Sequence, residues 1–208
     1  MVDVSAEVAD PAVPRVPSVA DRYQTGAFLE MLVSSIIGLW ASLVLSYDAV
    51  KLAEDPLTEL SCNISSTISC ATVGLSWQAN LLGFPNAFLG LIAEPVVITI
   101  AIAALGGVRF PRWFMLSAQV VYSIGLLFAY WLFLQAYFVI GALCPWCMLI
   151  TITTTIVFTS MTRINILEGN FGPGTKRRLE RPLRLGLDVA GVVVILGIMG
   201  AMVLYKYI

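Results

Sequence analysis

The chain has 208 residues, of which 59% are apolar and only 12% charged, and its formal net charge is −1. A soluble domain carries roughly 25% charged residues, so one aqueous core cannot hold this much apolar side chain, and lipid must solvate much of the protein. The absence of histidine excludes imidazole metal sites, Cys–His nucleophiles and histidine proton relays. The main candidates for chemistry are therefore the four cysteines, Cys62, Cys70, Cys144 and Cys147.

The N-terminal part of the chain predicts a tail followed by one membrane span. Residues 1–24 are predicted to be disordered, because they contain prolines and scattered acids and lack the basic-then-apolar pattern of a cleavable signal peptide. The first apolar stretch runs from about Phe28 to Tyr47 and is long enough to cross a hydrocarbon core of about 30 Å. A polar segment at about 48–84 follows it and contains the first cysteine pair.

The rest of the chain predicts four more spans. A second apolar stretch runs from about Pro85 to Leu105. Residues 113–160 contain no charged side chain and are too long for one span, so two spans are predicted there, with a turn near Gln135–Gly141. A basic linker broken by glycine and proline occupies 163–184, and the fifth span lies within 185–208. The predicted fold is therefore an all-α integral membrane protein.

Lysine and arginine are distributed unevenly between the two ends of the predicted spans. With a cytoplasmic N-terminus, ten of the twelve lie on the cytoplasmic side, and only Lys51 and Lys206 lie outside. Short cytoplasmic loops of membrane proteins carry such an excess. The prediction is a multi-pass protein of the inner or plasma membrane, with 1–24 and 163–184 in the cytoplasm. All four cysteines then lie at the extracytoplasmic face, where disulfides persist.

The two cysteine pairs differ in spacing and setting. Cys144-Pro-Trp-Cys147 is a C-x-x-C motif at the start of the predicted fourth span. Two thiols at this spacing can close a small disulfide ring, and a helix N-terminus stabilises a thiolate. Cys62 and Cys70 are separated by seven small, β-branched or polar residues, which can bring the two sulfurs together or carry one toward another disulfide. A flexible outer pair beside a membrane-embedded pair is the arrangement that an electron relay needs.

Other interpretations of these residues remain open. Four extracytoplasmic cysteines are also compatible with two structural disulfides in a non-enzymatic membrane protein. A four-cysteine zinc site is disfavoured by the spacing of one pair and by the oxidising face, so no metal is predicted. Glu94 is a further candidate because carboxylates inside membranes are commonly functional. Glu30 and Asp188, near span ends, are predicted to be solvated.

Together these residues resemble the vitamin K epoxide reductase family in its bacterial branch, without a fused thioredoxin-like domain. The likeness covers roughly residues 25–165. Its elements are the spaced pair Cys62 and Cys70 after the first span, then Ser76, then Gly83-Phe-Pro-Asn-Ala-Phe-Leu-Gly90, and finally Cys144-Pro-Trp-Cys147. A loop pair that precedes the C-x-x-C distinguishes this family from the unrelated Dsb-type membrane oxidases, in which the C-x-x-C comes first.

The resemblance implies that all four cysteines are catalytic. Cys144 and Cys147 would be the active-site pair, with Cys147 nearest the ring of a bound quinone. Cys62 and Cys70 would be the shuttle pair, in which Cys70 exchanges with Cys144 and Cys62 exchanges with the partner protein.

The resemblance also implies a four-helix transmembrane bundle at 25–162 around a quinone of the menaquinone or ubiquinone type. The loop at about 48–84 would cap this bundle, and a fifth transmembrane helix would follow it. Asn86 matches the family position that hydrogen-bonds a quinone carbonyl oxygen, and Ser76 matches a loop serine beside the active site. The chain departs from the family at Thr151, where vertebrate members have a tyrosine that helps to bind the quinone.

The predicted function is that of a thiol:quinone oxidoreductase that supports disulfide bond formation. A separate extracytoplasmic thioredoxin-fold thiol oxidase would be reoxidised, and its two electrons would pass through both cysteine pairs to a membrane quinone. Two alternatives remain, namely reduction of vitamin K epoxide or quinone by an enzyme of the same family, and a membrane scaffold with structural disulfides. Membrane lipid is expected to surround the protein, and no nucleic acid is expected as a partner.

Overall fold

The computed structural model describes residues 19–207. Within this range five helices are long and apolar enough to cross a membrane, so the predicted all-α membrane fold with five spans is confirmed. Most of the tail predicted at 1–24 lies outside the described residues, and from Val19 the chain is already helical.

Seven α-helices follow one another along the described part of the chain. They are α1 Val19–Glu54, α2 Cys70–Gly74, α3 Phe88–Leu105, α4 Arg112–Gln135, α5 Pro145–Leu167, α6 Pro173–Arg184 and α7 Leu187–Tyr207. A 3-10 turn at Trp77–Asn80 lies between α2 and α3, and a π turn at Ala136–Ile140 extends α4. The chain then reverses at Gly141, whose φ of 76° is a left-handed conformation that favours glycine.

The bundle is organised around α1 and α5. Helix α1 packs against α3 and α5, and α4 also packs against α5. Toward the start of α1 and the ends of α3 and α5 these interfaces are apolar, and Met31, Ile100 and Met161 are almost fully buried there. Side chains that face away from the bundle are apolar as well, such as Trp40 and Ile124, which are 62% and 63% exposed. Such an exterior is suited to lipid acyl chains as its solvent.

The two ends of the bundle differ in charge. One end, called the basic face below, contains the α3–α4 connection, the α5–α6 loop and α6. These segments meet where the Arg112 guanidinium donates to the carbonyl oxygen of Asn170 at 2.6 Å. The other end, called the cysteine face, carries all four cysteines and the end of α7, where Lys206 donates to the carbonyl oxygen of Tyr137.

Two element boundaries differ from those predicted. Helix α1 continues past Tyr47 to Glu54, and the added turns bury Leu52 against the cysteines. The segment 163–184, predicted to be a linker, contains the end of α5 and all of α6. Helix α6 starts with Pro173, and a proline at the first helical position costs no hydrogen bond. Gly169, Gly172 and Pro173 therefore separate α5 from α6, whereas Pro182 lies inside α6.

An ion-pair cluster at the basic face joins α1, α5 and α7. The Nε of Arg163 lies 2.5 Å from Asp188 Oδ2, and its Nη1 lies 3.2 Å from Glu30 Oε2. The side chain of Asp188 is only 11% exposed, so the prediction that it is solvated is wrong, while that of Glu30 keeps 39% exposure. Because a charge beside lipid needs a partner, the cluster attaches the fifth helix to the bundle.

Candidate active site at the cysteine face

Cys62 and Cys70 form a disulfide that closes a compact turn. Asn63 organises this turn, because its Oδ1 accepts hydrogen bonds from the Ser69 hydroxyl and from the backbone N–H of Ala71, both at 3.1 Å. Ser69 is also the N-cap of α2, so Cys70 is held at the first position of a helix. Specific hydrogen bonds therefore order a segment whose composition indicated only flexibility.

A short backbone bridge places this turn beside the C-x-x-C motif. The Ser69 N–H donates to the carbonyl oxygen of Leu143 at 3.0 Å, and the Leu143 N–H donates to the carbonyl oxygen of Thr67 at 2.9 Å. The bridge holds Cys70 next to Cys144, with their Sγ atoms 3.3 Å apart. The two cysteine pairs therefore meet through the two sulfurs for which the resemblance implied exchange.

Cys144 occupies the N-cap of α5. Its Sγ accepts a hydrogen bond from the backbone N–H of Cys147 at 3.3 Å, and Pro145 takes the first helical position. The pKa of the Cys144 thiol is lowered chiefly by a hydrogen bond from the Cys147 thiol; burial opposes this shift, and backbone N–H groups add to it. A thiol with a lowered pKa is more often present as the nucleophilic thiolate. Of the two free thiols, Cys144 is thus favoured as the one that exchanges.

The sulfur cluster is closed to solvent. Cys62 is 6% exposed, Cys70 is 3% exposed and Cys144 is 2% exposed, whereas Cys147 is half-buried. Apolar side chains cover the cluster from α1, from the loop, from α2 and from the segment before α5, namely Leu52, Leu60, Val73 and Ala142. Exchange between the two pairs is therefore shielded from water, and an external thiol meets a buried disulfide.

Asp48 places a carboxylate at this cluster. Its Oδ2 lies 3.9 Å from Cys62 Sγ, and the residue is 8% exposed. Its negative charge opposes the thiolate of Cys144 and so acts to raise the pKa of that thiol. Asp48 was not predicted from the sequence because it follows the predicted end of the first span, and only the continuation of α1 to Glu54 carries it to the sulfurs.

Asn86, at the cysteine end of α3, has a buried atom that lacks a partner. Its Nδ2 donates to the carbonyl oxygen of Gln78 at 2.6 Å, which fixes the orientation of the amide. Gln78 is itself buried and donates from Nε2 to Gln135 Oε1 at 3.4 Å. Asn86 Oδ1 accepts no hydrogen bond from the described residues. Because an unpaired buried carbonyl oxygen is costly, this position suits a ligand hydroxyl, and the second N–H of Nδ2 can donate to a ligand carbonyl.

Ser76 and Thr151 direct their hydroxyls to the backbone. The Ser76 hydroxyl donates to the carbonyl oxygen of Val73 at 2.6 Å, and Ser76 precedes the 3-10 turn. The Thr151 hydroxyl donates to the carbonyl oxygen of Cys147 at 3.0 Å. Ser76 thus helps to fold the loop, and its side-chain hydrogen bond within the described residues joins it to the loop backbone and not to the cysteines.

Comparison with known proteins identifies one family. A sequence model described as the vitamin K epoxide reductase family matches residues 29–162. The match includes both cysteine pairs, all of α3 and α4 and most of α1 and α5, whereas α6 and α7 lie outside it. A search of curated proteins finds no match.

Proposed function

The chain belongs to the vitamin K epoxide reductase family, and we propose that it is a thiol:quinone oxidoreductase that supports disulfide bond formation. Membership in the family implies a membrane oxidoreductase that works with thiols and quinones. The observation that carries the finer proposal is the 3.3 Å contact between Cys70 Sγ and Cys144 Sγ, which joins a loop disulfide to a C-x-x-C pair at the membrane surface.

The first step takes electrons from a separate thioredoxin-fold partner. A thiolate of the partner attacks Cys62, the disulfide breaks, and Cys70 leaves as a thiolate. Cys70 then attacks Cys144 of a Cys144–Cys147 disulfide, and Cys147 leaves as a thiolate. The contact between the two sulfurs supports this choice of nucleophile and target.

The second step returns the shuttle pair to its disulfide. The other thiol of the partner attacks the partner–Cys62 bond and releases the oxidised partner, and Cys62 then attacks Cys70 and frees Cys144. Two thiols of the partner have become a disulfide, and the disulfide of the C-x-x-C pair has become two thiols. This product has a closed Cys62–Cys70 pair and free Cys144 and Cys147, which is the arrangement in the structure.

A quinone of the menaquinone or ubiquinone type would accept the two electrons and two protons that leave as Cys144 and Cys147 close. The residues present fit such a group. Cys147 is half-buried at the start of α5, whereas Cys144 is buried. Asn86 would hold a quinone carbonyl oxygen through the Nδ2 N–H that is not used on Gln78, and its buried Oδ1, unpaired within the described residues, would accept from a hydroxyl of the reduced quinone. An amide N–H directed at this oxygen would stabilise developing negative charge.

The cysteine face is proposed to be extracytoplasmic. The basic face carries eight of the ten lysine and arginine residues whose side chains the structure describes, and basic residues gather on the cytoplasmic side of membrane proteins. A membrane-impermeant maleimide should therefore label, in intact cells, a cysteine that replaces Leu57, which is 89% exposed at the cysteine face. In the same cells it should not label a cysteine that replaces Arg177, exposed on α6. The opposite pattern would reverse the orientation.

The function is tested by quinone reduction with purified protein and a reduced thioredoxin-like donor. The native chain should reduce quinone only when the donor is present, and Cys147→Ala should abolish the reaction. Met148→Leu, next to it on α5, conserves side-chain volume and should leave the rate almost unchanged. An absence of reduction with folded native protein, across ubiquinone and menaquinone analogues, would leave the cysteines with a structural role. Turnover of vitamin K epoxide would instead favour epoxide reduction.

A further inference from the structure

A polar seam lies between α1 and α3 inside the bundle. It is formed by residues at four-residue spacing, Gly38, Ser42 and Ser46 from α1, then Asn86 just before α3 and Gly90 and Glu94 within α3. A Cβ atom added to Gly90 would lie 2.0 Å from Ser42 Oγ, and one added to Gly38 would lie 3.0 Å from Glu94 Oε1. The two glycines therefore bring the helices close enough for Ser42 and Glu94 to contact the opposite backbone. The seam runs from Glu94 toward the cysteine face.

Most of the polar atoms in this seam have no partner. Ser42 Oγ, Ser46 Oγ, Asn86 Oδ1 and Glu94 Oε2 are four of the six buried side-chain oxygens that lack a hydrogen bond within the described residues. A buried polar group without a partner is costly, and ordered water satisfies such groups where several of them lie together. The clustering of these atoms along one interface therefore leaves a row of unsatisfied polar groups between α1 and α3, which water molecules admitted between the helices would connect.

Glu94 lies at the membrane-interior end of the seam. It is 4% exposed, and its Oε1 accepts a hydrogen bond from the Tyr122 hydroxyl of α4 at 2.9 Å. Helices α1 and α5 present Gly38 and Thr153 to the carboxyl group, neither of which titrates. The charged residues of those two helices whose side chains the structure describes lie at least eight positions away, namely Glu30, Asp48, Lys51 and Glu54 on α1 and Arg163 on α5. With none of the described cations beside it, the buried carboxyl group holds a proton.

We infer that Glu94 is a proton-exchanging carboxyl group, which passes a proton from Oε2 through Ser42 and Ser46 to the site at Asn86 and takes one back. This inference rests on the proposed function. Closing Cys144 and Cys147 into a disulfide releases two electrons and two protons. Glu94 donates one proton toward Asn86 and accepts one that these thiols release. The carboxyl group is therefore unchanged after each turnover, and the seam conducts protons but no electrons.

Infrared absorption of the purified protein tests the inference without relying on turnover. A protonated carboxyl group has its own C=O band, which shifts when the proton is exchanged for deuterium. The native protein should show a band that shifts in D2O and disappears in Glu94→Gln. Glu94→Asp keeps a carboxyl group and should restore a shifting band if the Gln variant folds poorly. Absence of this band from folded native protein, or a band that D2O leaves unshifted, would overturn the inference.

Matched serine variants test the route. Ser42→Ala removes an unpaired hydroxyl from the seam and should slow the D2O shift. Ser35→Ala, on the same helix, removes a hydroxyl that already donates to the carbonyl oxygen of Met31 at 2.7 Å and should leave the shift unchanged. Equal exchange rates in both variants would exclude a route through Ser42.

Quinone reduction separates this inference from the proposed function. A positioned proton donor contributes on the order of a hundredfold or more to rate, so Glu94→Gln should slow the reaction by about that factor while donor-dependent disulfide exchange at Cys62 stays normal. If Glu94→Gln is as fast as the native protein, the role of Glu94 in turnover fails and the oxidoreductase stands. If the native protein does not reduce quinone at all, the proposed function fails, whatever the infrared result for Glu94.

Discussion

The contact between Cys70 and Cys144 predicts which disulfide forms when only two cysteines remain. A variant that combines Cys62→Ala with Cys147→Ala retains only these two thiols. Their sulfurs are 3.3 Å apart, so an approach of about 1.3 Å reaches the disulfide bond length of about 2.0 Å. Small χ1 changes at the two residues provide such a shift without moving the backbone bridge between them. We expect mild oxidation to close a Cys70–Cys144 disulfide.

The matched control combines Cys70→Ala with Cys147→Ala, which leaves Cys62 and Cys144. Cys62 sits in the turn held by Asn63, whose two hydrogen bonds are worth about 1 kcal/mol each. Moving Cys62 to Cys144 disturbs that turn, and the carboxylate of Asp48 disfavours the Cys62 thiolate that precedes oxidation. A difference of about 1.4 kcal/mol already gives a tenfold change, so we expect the control to close at least about tenfold more slowly.

The assay follows the loss of free thiols during oxidation, and peptide mapping then identifies the linked residues. Equal rates for the two variants, or a faster rate for the Cys62 and Cys144 pair, would refute the assignment of Cys70 as the residue that exchanges with Cys144. A third variant that retains only Cys70 and Cys147 should form its disulfide more slowly than the Cys70 and Cys144 variant, because Cys70 Sγ is in contact with Cys144 Sγ.

Three further predictions concern the turn, the fifth helix and the active thiol. Asn63→Ala should raise the rate at which an external thiol reduces the loop disulfide by about tenfold or more, since it removes two hydrogen bonds of about 1 kcal/mol each from the turn; an unchanged rate would mean that the turn does not protect it. Asp188→Asn should lower the free energy of unfolding in a denaturant titration by about 1.5–3 kcal/mol, because it weakens a nearly buried charged hydrogen bond to Arg163. The control Glu180→Gln, in an exposed ion pair, should lower it by no more than about 0.5 kcal/mol. Equal losses in the two variants would contradict this prediction. Because the thiol of Cys147 lowers the pKa of Cys144, Cys147→Ala should raise that pKa, so the pH midpoint for alkylation of Cys144 moves upward; a midpoint that stays or falls would count against the hydrogen bond.

Much of the fold follows from composition and periodicity. An uncharged stretch as long as 113–160 has to form two spans in lipid, and the structure indeed has α4 and α5 there. The ends of the helices were harder to predict. Helix α1 continues to Glu54 because its last turns bury Leu52 against the loop, a tertiary contact that hydropathy does not register.

The candidate site also has features that the sequence predicts and features that only the fold reveals. The four cysteines could be named from residue type and spacing. The contact between Cys70 and Cys144, which are 74 positions apart, depends on the backbone bridge at Leu143. Asp48 and Tyr122 could not be found, because an acid at a span end and a tyrosine inside a span have many ordinary roles. Glu94 could be suspected from its position in lipid, yet its hydrogen bond to Tyr122 joins residues 28 positions apart on two helices.

Burial of the loop disulfide has a consequence for the order of events in the proposed cycle. Cys62 is 6% exposed, so a partner thiolate cannot approach its sulfur in line until the turn opens. Opening breaks the hydrogen bonds of Asn63, whereas the bridge at Leu143 can hold Cys70 against Cys144. The partner should therefore gain access by moving the Cys62 side of the turn alone. A partner that binds this side offsets the free energy of opening the turn with its own contacts. A small thiol without such contacts should therefore reduce the same disulfide slowly.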